Sequence, residues 1–274
     1  MSAVQKKSVK KGSIALYAVL LLVAVVVMYM LRGYAKPQVA KIEDEKGELV
    51  VAVEYAPMFL YTYGDTLGGF SYDLLNLIAA QKGIKFNFQP MVTLSSSLDK
   101  LKAGDYRMVC AEFPVTKEHK QDYLFTTPIY LDRQVLVQMK NGEGHIAVKS
   151  QLDLANDTVW VVNGSSSELR LENLSSEIGD TIYVMTEKNY GAEQLFLRVV
   201  SGEIKQAVMN ERIAQELSKK YPNVDITTGI SMTQFQSWIL NKNDSAFCDS
   251  INSWIDAVKH TQEYTNLYNR YFSE

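Results

Sequence analysis

After residue 48, short apolar segments alternate with longer segments of helical periodicity, and this alternation constrains the fold more than any other feature. The order is strand, helix, strand, helix, strand over residues 49–53 (LVVAV), 72–81 (YDLLNLIAAQ), 84–88, 94–103 and 106–111. Gly83 and Gly104 follow the two helical segments, as glycines do where helices end. A β-α-β-α-β order predicts an α/β fold with a parallel sheet and helices on both faces.

A second series of the same kind begins near residue 152. Residues 158–162 (TVWVV) predict a strand that runs directly into Gly164, Ser165, Ser166, Ser167 and a helix. Free backbone amides at such a turn can bind a ligand oxygen, but the same residues also serve as helix caps, and both interpretations stay open. Further strands are predicted at 181–185, 206–209 and 235–241, with helices at 192–200 and 245–272, so the sequence predicts two α/β lobes.

The N-terminus carries an unbroken apolar run over residues 14–31 (IALYAVLLLVAVVVMYML), which as a helix would span roughly 27 Å. Lysines precede it at positions 6, 7, 10 and 11, and lysines beside a membrane span stay cytoplasmic. We therefore expect a cytoplasmic stub (1–13), a transmembrane helix (14–31) and a polar linker (32–48), with the folded part across the membrane. A cleaved signal peptide is the alternative, although residues 32–36 (RGYAK) offer no cleavage site.

Composition excludes several kinds of function. A net charge of −3 gives no basic surface for phosphates, so no nucleic-acid partner is expected. The only cysteines, Cys110 and Cys248, are expected to be buried thiols. His119, His145 and His260 are far apart in sequence and no CxxC or HExxH occurs, so neither a metal site nor a cofactor is expected.

Several phrases, taken together and in order, are typical of one family. They are residues 69–75 (GFSYDLL), 98–105 (LDKLKAGD), 116–119 (TKEH), 125–130 (FTTPIY), 201–204 (SGEI) and 268–272 (YNRYF). On these phrases the chain resembles the bacterial extracellular solute-binding proteins of family 3. The resemblance implies a two-lobed periplasmic-binding-protein type 2 fold (Venus flytrap), with 49–130 and 234–274 as lobe 1, 131–233 as lobe 2, and a small-molecule ligand between them.

A closer likeness lies in residues 132–138 (DRQVLVQ), 221–228 (YPNVDITT) and 233–238 (TQFQSW). These are similar to the non-catalytic N-terminal module of membrane-bound lytic transglycosylase F, where a lysozyme-like domain that cleaves peptidoglycan follows the module. Here residue 274 comes just after the module's final helix, so we expect no enzymatic activity. The resemblance implies the bacterial inner membrane as location, with the binding domain in the periplasm and a membrane or cell-wall protein as a possible partner.

The sequence departs from this family where amino acids are bound. Family members clamp the α-carboxylate with the arginine of a T-x-x-R phrase, which begins here at Thr116 but ends in His119. Pro114 replaces a threonine hydroxyl, Glu112 replaces a glycine, and Asn210 replaces the acid that pairs with the α-ammonium. We therefore expect that this cleft does not recognise the head group of a free α-amino acid.

Aromatic side chains follow the first strand at Tyr55, Phe59, Tyr61 and Tyr63, where they could stack on a sugar or pack within the lobe. The predicted function is a sensing module for a solute such as a muropeptide or peptide fragment. The alternatives are a substrate-binding protein of an ABC transporter and an enzyme similar to cyclohexadienyl dehydratase. The candidate ligand-binding residues are Tyr55, Phe59, Glu112, Phe113, Thr116, His119, Gly164, Ser165, Ser166 and Asn210.

Overall fold

The computed structural model describes residues 19–28, 47–91 and 93–272. Residues 19–28 are helical and belong to one compact unit (1–39), while residues 40–274 form another. In the described part of the chain, no helix combines the length and apolar character needed to cross a membrane. The stub, most of the linker and both ends of the predicted anchor lie outside the described residues.

The second unit consists of short strands and helices in alternation. The strands are β1 (Leu49–Val53), β2 (Tyr61–Tyr63), β3 (Thr66–Gly68), β4 (Phe86–Pro90), β5 (Met108–Cys110), β6 (Tyr123–Phe125), β7 (Tyr130–Asp132), β8 (Gln134–Met139), β9 (Thr158–Val162), β10 (Tyr183–Glu187), β11 (Gln206–Asn210), β12 (Val224–Asp225), β13 (Gln234–Gln236) and β14 (Ile239–Asn241). The helices are α1 (Phe70–Lys82), α2 (Leu94–Ala103), α3 (His119–Asp122), α4 (Ser166–Ile178), α5 (Ala192–Val200), α6 (Glu211–Ser218), α7 (Ser245–Lys259) and α8 (Gln262–Phe272). A 3₁₀ turn covers Gln151–Leu154.

Lobe 1 is a five-stranded sheet in the order β4-β1-β5-β14-β6. Strand β1 is parallel to β4 and β5, as the β-α-β-α-β order predicts, but β14 runs antiparallel to β5 and β6, so the sheet is mixed. Val51 and Val53 face the core that contains α1 and α7, whereas Ala52 faces the core that contains α2. Because successive strand residues point to opposite faces, the sheet has helices on both faces, as predicted.

Lobe 2 repeats this plan with the order β10-β9-β11-β8-β12. Strand β9 is parallel to β10 and β11, and β8 is antiparallel to β11 and β12. Val135 and Val137 of β8 face α5 and α6, while Leu136 packs with Leu171 of α4. The second lobe is therefore also a mixed sheet between helices.

The chain passes between the lobes twice, through β7 and β13, which pair antiparallel with Leu131 opposite Phe235. The prediction of one strand over residues 235–241 is wrong, because β13 and β14 belong to different sheets. Trp238 separates them and is 1% exposed. Its backbone N–H donates to Thr126 Oγ1 at 2.9 Å and its indole N–H donates to Ser71 Oγ at 3.1 Å. These bonds fix the segment that leads from β13, between the lobes, to β14 in lobe 1.

The prediction of one helix over residues 245–272 is also wrong, since α7 ends at Lys259 and α8 begins at Gln262. Thr261 lies in the break, where its hydroxyl accepts the Tyr264 N–H at 3.2 Å and acts as an N-terminal cap. The aromatic side chains of α8 pack edge-on against Phe70. The thiols of Cys110 and Cys248 are free and buried, as predicted.

Candidate ligand-binding cleft

Glu112 of lobe 1 joins the two lobes by reaching the first residues of α4 in lobe 2. Its Oε1 accepts hydrogen bonds from Ser166 Oγ at 2.6 Å and Ser167 Oγ at 3.1 Å. Ser165 is the N-cap of α4 and accepts the Glu168 N–H. A carboxylate is stabilised at a helix N-terminus by the free amides and the helix dipole, so this contact favours a closed arrangement of the lobes.

Glu54 directly follows β1 and lies beside Glu112. Its Oε2 accepts the Glu112 backbone N–H at 3.0 Å. Burial and the charge of Glu112 raise the pKa of Glu54 to about 7, although that hydrogen bond opposes the rise. Burial also raises the pKa of Glu112, against the hydrogen bonds from Ser166 and Ser167. Two carboxyl groups thus share a poorly hydrated region between the lobes.

Asp132, at the end of β7, is a further carboxyl group with a raised pKa. It is 3% exposed, and burial raises its pKa to about 7. Its Oδ1 accepts the backbone N–H groups of Arg133 and Arg212, at 2.9 and 3.3 Å, while its Oδ2 has no hydrogen-bond partner among the described residues. The carboxyl group is therefore only half satisfied.

Other buried polar groups around these carboxyls also lack partners in the described part of the chain. They are the hydroxyl of Tyr130, Oε1 of Gln134 and both amide atoms of Asn210, whose side chain is 0% exposed. Leaving such a group unsatisfied costs about 1–3 kcal/mol. Their concentration at one place makes this region a candidate ligand-binding site.

A cavity of about 330 Å³ opens between the lobes next to Glu54 and Glu112. This volume lies at the lower end of the range for small-molecule sites. Lobe 1 contributes Glu54, Tyr55, Met91, Thr93, Leu94 and Glu112; lobe 2 contributes Val162, Ser165, Asn189, Tyr190, Gly191, Glu193 and Gln194. Three glutamates and two tyrosines line this cavity, and none of the described residues that line it is basic. We call it the acidic cavity.

A second inter-lobe cavity of about 650 Å³ differs in charge. Its lining includes Lys120 of lobe 1 and Arg170 of lobe 2, together with Thr116 and Ser166. Arg170 is already engaged, because its side chain donates to the Ile230 carbonyl and to Glu177. The Glu112–Ser166 hydrogen bond joins a residue that lines the acidic cavity to one that lines this basic cavity.

The structure brings some of the predicted residues to these cavities. Tyr55, Glu112 and Ser165 line the acidic cavity, and Thr116 and Ser166 line the basic one. Asn210 lies beside Glu112, since its backbone forms a hydrogen bond with that carboxyl group.

Other predicted residues lie elsewhere. Phe59 is 2% exposed and belongs to the core. His119 stacks on Phe113 at 4.3 Å between ring centroids, and its Nδ1 lies 2.7 Å from the Pro114 carbonyl oxygen, so it lines neither cavity. Gly164 donates its N–H to Glu168, a contact within the turn before α4.

Sequence reasoning missed Glu54, Asp132, Tyr190 and Glu193. Glu54 was detectable, because an acid directly after a buried strand of a parallel sheet lies at the edge where ligands bind. Tyr190 lies just before α5 and Glu193 lies in the first turn of α5. This segment is polar and carries no comparable pattern. In the described chain no cluster of three or more histidine, cysteine or acidic side chains is arranged to hold a metal ion.

The model of the bacterial extracellular solute-binding proteins, family 3, matches residues 48–274. This range contains both lobes and the cleft.

Among curated proteins, the chain is 27% identical over 229 residues to the membrane-bound lytic murein transglycosylase F of Desulfosudis oleivorans, covering 84% of this chain and 49% of that protein. It therefore spans about half the length of this relative. It is 24% identical to the arginine-binding extracellular protein ArtP of Bacillus subtilis, covering 93% of this chain and 97% of ArtP.

Solved structures show the same fold. An ancestral arginine-binding protein bound to arginine superposes with a TM-score of 0.72 at 26% identity, covering 83% of this chain and 99% of that one. The substrate-binding protein of an amino acid ABC transporter superposes equally well, with a TM-score of 0.72 at 22% identity, over 83% of this chain and all of that one. The two-lobed α/β architecture is thus that of solute-binding proteins.

Proposed function

Because the chain belongs to the bacterial extracellular solute-binding proteins of family 3, we propose that its lobes enclose one small polar solute in the acidic cavity, and that this unit acts by binding rather than by catalysis. The observation that carries the proposal is the position of the cavity: residues of both lobes line it, beside buried polar groups that lack partners. A solute held there would stabilise the closed arrangement, because it would contact both lobes at once.

The proposed setting is a tether to the bacterial inner membrane through the apolar segment of residues 14–31, with the lobes in the periplasm. The likeness to transglycosylase F, an enzyme named for its action on murein, supports a cell-wall fragment such as a muropeptide or peptide as the solute. Tyr55 and Tyr190 provide aromatic faces for a sugar or an apolar side chain. The unit would then report the solute to a membrane or cell-wall partner.

A second candidate is delivery of a polar solute to an ABC transporter. The likeness to ArtP favours it, because ArtP is named as an arginine-binding extracellular protein and matches over nearly its whole length. The two candidates differ in their solutes, since a transport protein of that kind would bind free amino acids.

The test is thermal unfolding of the full-length chain, purified in mild detergent, against a panel of amino acids, peptides, amines and muropeptides. A compound that binds only the folded protein raises the unfolding midpoint by mass action. Gly191→Leu would fill the acidic cavity, because Gly191 lines it with φ of −90° and a Cβ there would lie 3.9 Å from Glu54 Oε1. Gly142→Leu is the matched control, since nothing lies within 4 Å of a Cβ at that position.

The proposal predicts that at least one panel compound raises the midpoint of the native chain and of Gly142→Leu but not that of Gly191→Leu. A shift of the same size in Gly191→Leu would place the solute outside the acidic cavity. Shifts with muropeptides favour cell-wall sensing, whereas shifts with free amino acids favour transport. No shift with any compound would contradict solute binding.

A further inference from the structure

The start of α4 is the natural place in this cleft for an anion, and the protein fills it with its own side chain. Helix α4 is 13 residues long, and the hydroxyls of Ser166 and Ser167 and the Ser167 backbone all bond to Glu112. A solute carboxylate would have to displace the Glu112 carboxylate from this position. It would also approach Glu54, whose carboxyl group lies beside Glu112.

The space that remains beside Glu112 is suited to the opposite charge. Glu54, Glu112 and Glu193 line the acidic cavity with no basic residue among its lining, and Tyr55 and Tyr190 present aromatic rings. Carboxylates and aromatic faces are the two groups that hold organic cations in proteins. Glu193 is fixed in position by the Tyr61 hydroxyl, which donates to its Oε1 at 2.9 Å.

Buried polar groups without partners in the described chain also lie near Glu112, although they are not among the residues that line the acidic cavity. The Asn210 side chain is completely buried, its backbone bonds to Glu112, and neither its amide oxygen nor its amide nitrogen has a partner among the described residues. Oδ2 of Asp132 and the hydroxyl of Tyr130 are unsatisfied in the same region. Their unused acceptors, Asp132 Oδ2 and Asn210 Oδ1, add to the excess of hydrogen-bond acceptors around Glu112.

Building on the proposed function of this same cleft, we propose that its solute is an organic cation whose amine or guanidinium group has no carboxylate beside it, and that Glu112 occupies the place such a carboxylate would take. Two kinds of solute contain such a cation without an adjacent carboxylate. One is a free polyamine, and the other is the N-terminus of a peptide, where the neighbouring carboxyl group is part of an amide.

The experiment is calorimetric titration of the full-length chain in detergent with pairs that differ only by a carboxylate. Agmatine is tested against arginine, and cadaverine against lysine. Alanine amide, tested against alanine, represents a peptide N-terminus and distinguishes it from a free polyamine as the source. The proposal predicts that at least one member without the adjacent carboxylate binds at least tenfold more tightly than its partner.

Two variants test the role of Glu112 directly. Glu112→Gly removes the carboxylate from the start of α4, so arginine or lysine should gain at least tenfold in affinity while the matching amine loses affinity. Glu143→Gly is the matched control, because it removes one exposed acidic side chain and should leave both affinities unchanged. Thermal unfolding of each variant verifies that it is folded before titration.

The outcomes distinguish failure of the assigned solute class from failure of solute binding itself. Equal or tighter binding of arginine and lysine by the native chain would overturn the assignment of the solute class while leaving solute binding intact. The assignment would also fail if none of the amines bound but another panel compound shifted the native chain and not Gly191→Leu. Absence of binding by every compound would instead refute the proposed function itself.

Discussion

Asp132→Asn tests the claim that the carboxyl groups between the lobes lie in a poorly hydrated environment that raises their pKa. Asp132 is almost completely buried, and only one of its two oxygens is bonded. Asparagine keeps the Oδ1 acceptor for the Arg133 and Arg212 N–H groups and cannot ionise. The substitution therefore removes the cost of the charge while preserving the bonds that the side chain makes.

The magnitude follows from the pKa, which burial raises from 3.8 to about 7 against the opposing N–H bonds and the charge of Arg212, with Glu112 adding to the rise. Between these two values the folded chain keeps a proton that the unfolded chain has lost, so the stability of the native protein falls as pH rises from about 4 to about 7. At 1.36 kcal/mol per pKa unit, a rise of about 3 units amounts to about 4 kcal/mol at pH 8. This figure is an upper bound, because opening of the lobes would hydrate the carboxylate.

The assay is urea unfolding of the native chain, Asp132→Asn and Asp256→Asn at pH 4.5, 6 and 8. The stability of Asp132→Asn relative to native should rise by about 2–4 kcal/mol between pH 4.5 and pH 8. Asp256 is a highly exposed acid, so its variant should follow the native pH profile. Parallel profiles for native and Asp132→Asn would refute the buried, raised-pKa assignment.

The remaining predictions concern the cation site and two packing contacts. The amine that binds in the acidic cavity should bind about tenfold more tightly at pH 8 than at pH 6, because its binding releases the proton that Glu54, with a pKa of about 7, holds at pH 6. Calorimetry on Glu54→Gln should show a smaller pH dependence, since Glu112, whose pKa is also raised, remains in the cavity. Gly69→Ala should lower the free energy of unfolding in urea by at least about 2 kcal/mol, since φ of Gly69 is +124° and a Cβ would lie 2.5 Å from a backbone oxygen. Gly83→Ala, where nothing lies within 4 Å of a Cβ, should lower it by about 1 kcal/mol. Trp238→Phe should cost about 2–4 kcal/mol, because it leaves the buried Ser71 hydroxyl without the indole N–H and opens a void; equal stability in urea would contradict this.

Local patterns predicted the main strands and helices of the two alternating series, but not the elements β2, β3, β6, β7, β8, β12, α3 and α6. Helix α2 has the predicted bounds, because Thr93 caps its start, Gly104 follows its end, and its apolar residues recur at helical spacing. The break between α7 and α8 was missed, although residues 259–263 (KHTQE) contain no apolar residue and interrupt the helical period there. Thr261 is only a weak capping signal until the packing of α8 against Phe70 is known.

The site was predictable in part, because it depends on contacts between distant segments. Glu112 and Ser166 were found from the sequence, but their hydrogen bond joins residues 54 positions apart and could not be read from local patterns. His119, a candidate ligand-binding residue at the position of the family's clamp arginine, stacks on Phe113 and lines neither cavity. A position matched to a motif gives the backbone location of a side chain and not its direction.

Amide hydrogen exchange, measured with and without the panel compound that gives the largest thermal shift, tests the central claim most directly. Binding between the lobes predicts slower exchange at acidic-cavity residues of both lobes. In lobe 1 these are Met91, Thr93 and Leu94, and in lobe 2 they are Asn189, Tyr190, Gly191, Glu193 and Gln194; each set is called a segment below. The account predicts slowing in both segments in the same sample. Slowing confined to one lobe, or located outside both segments, would contradict it.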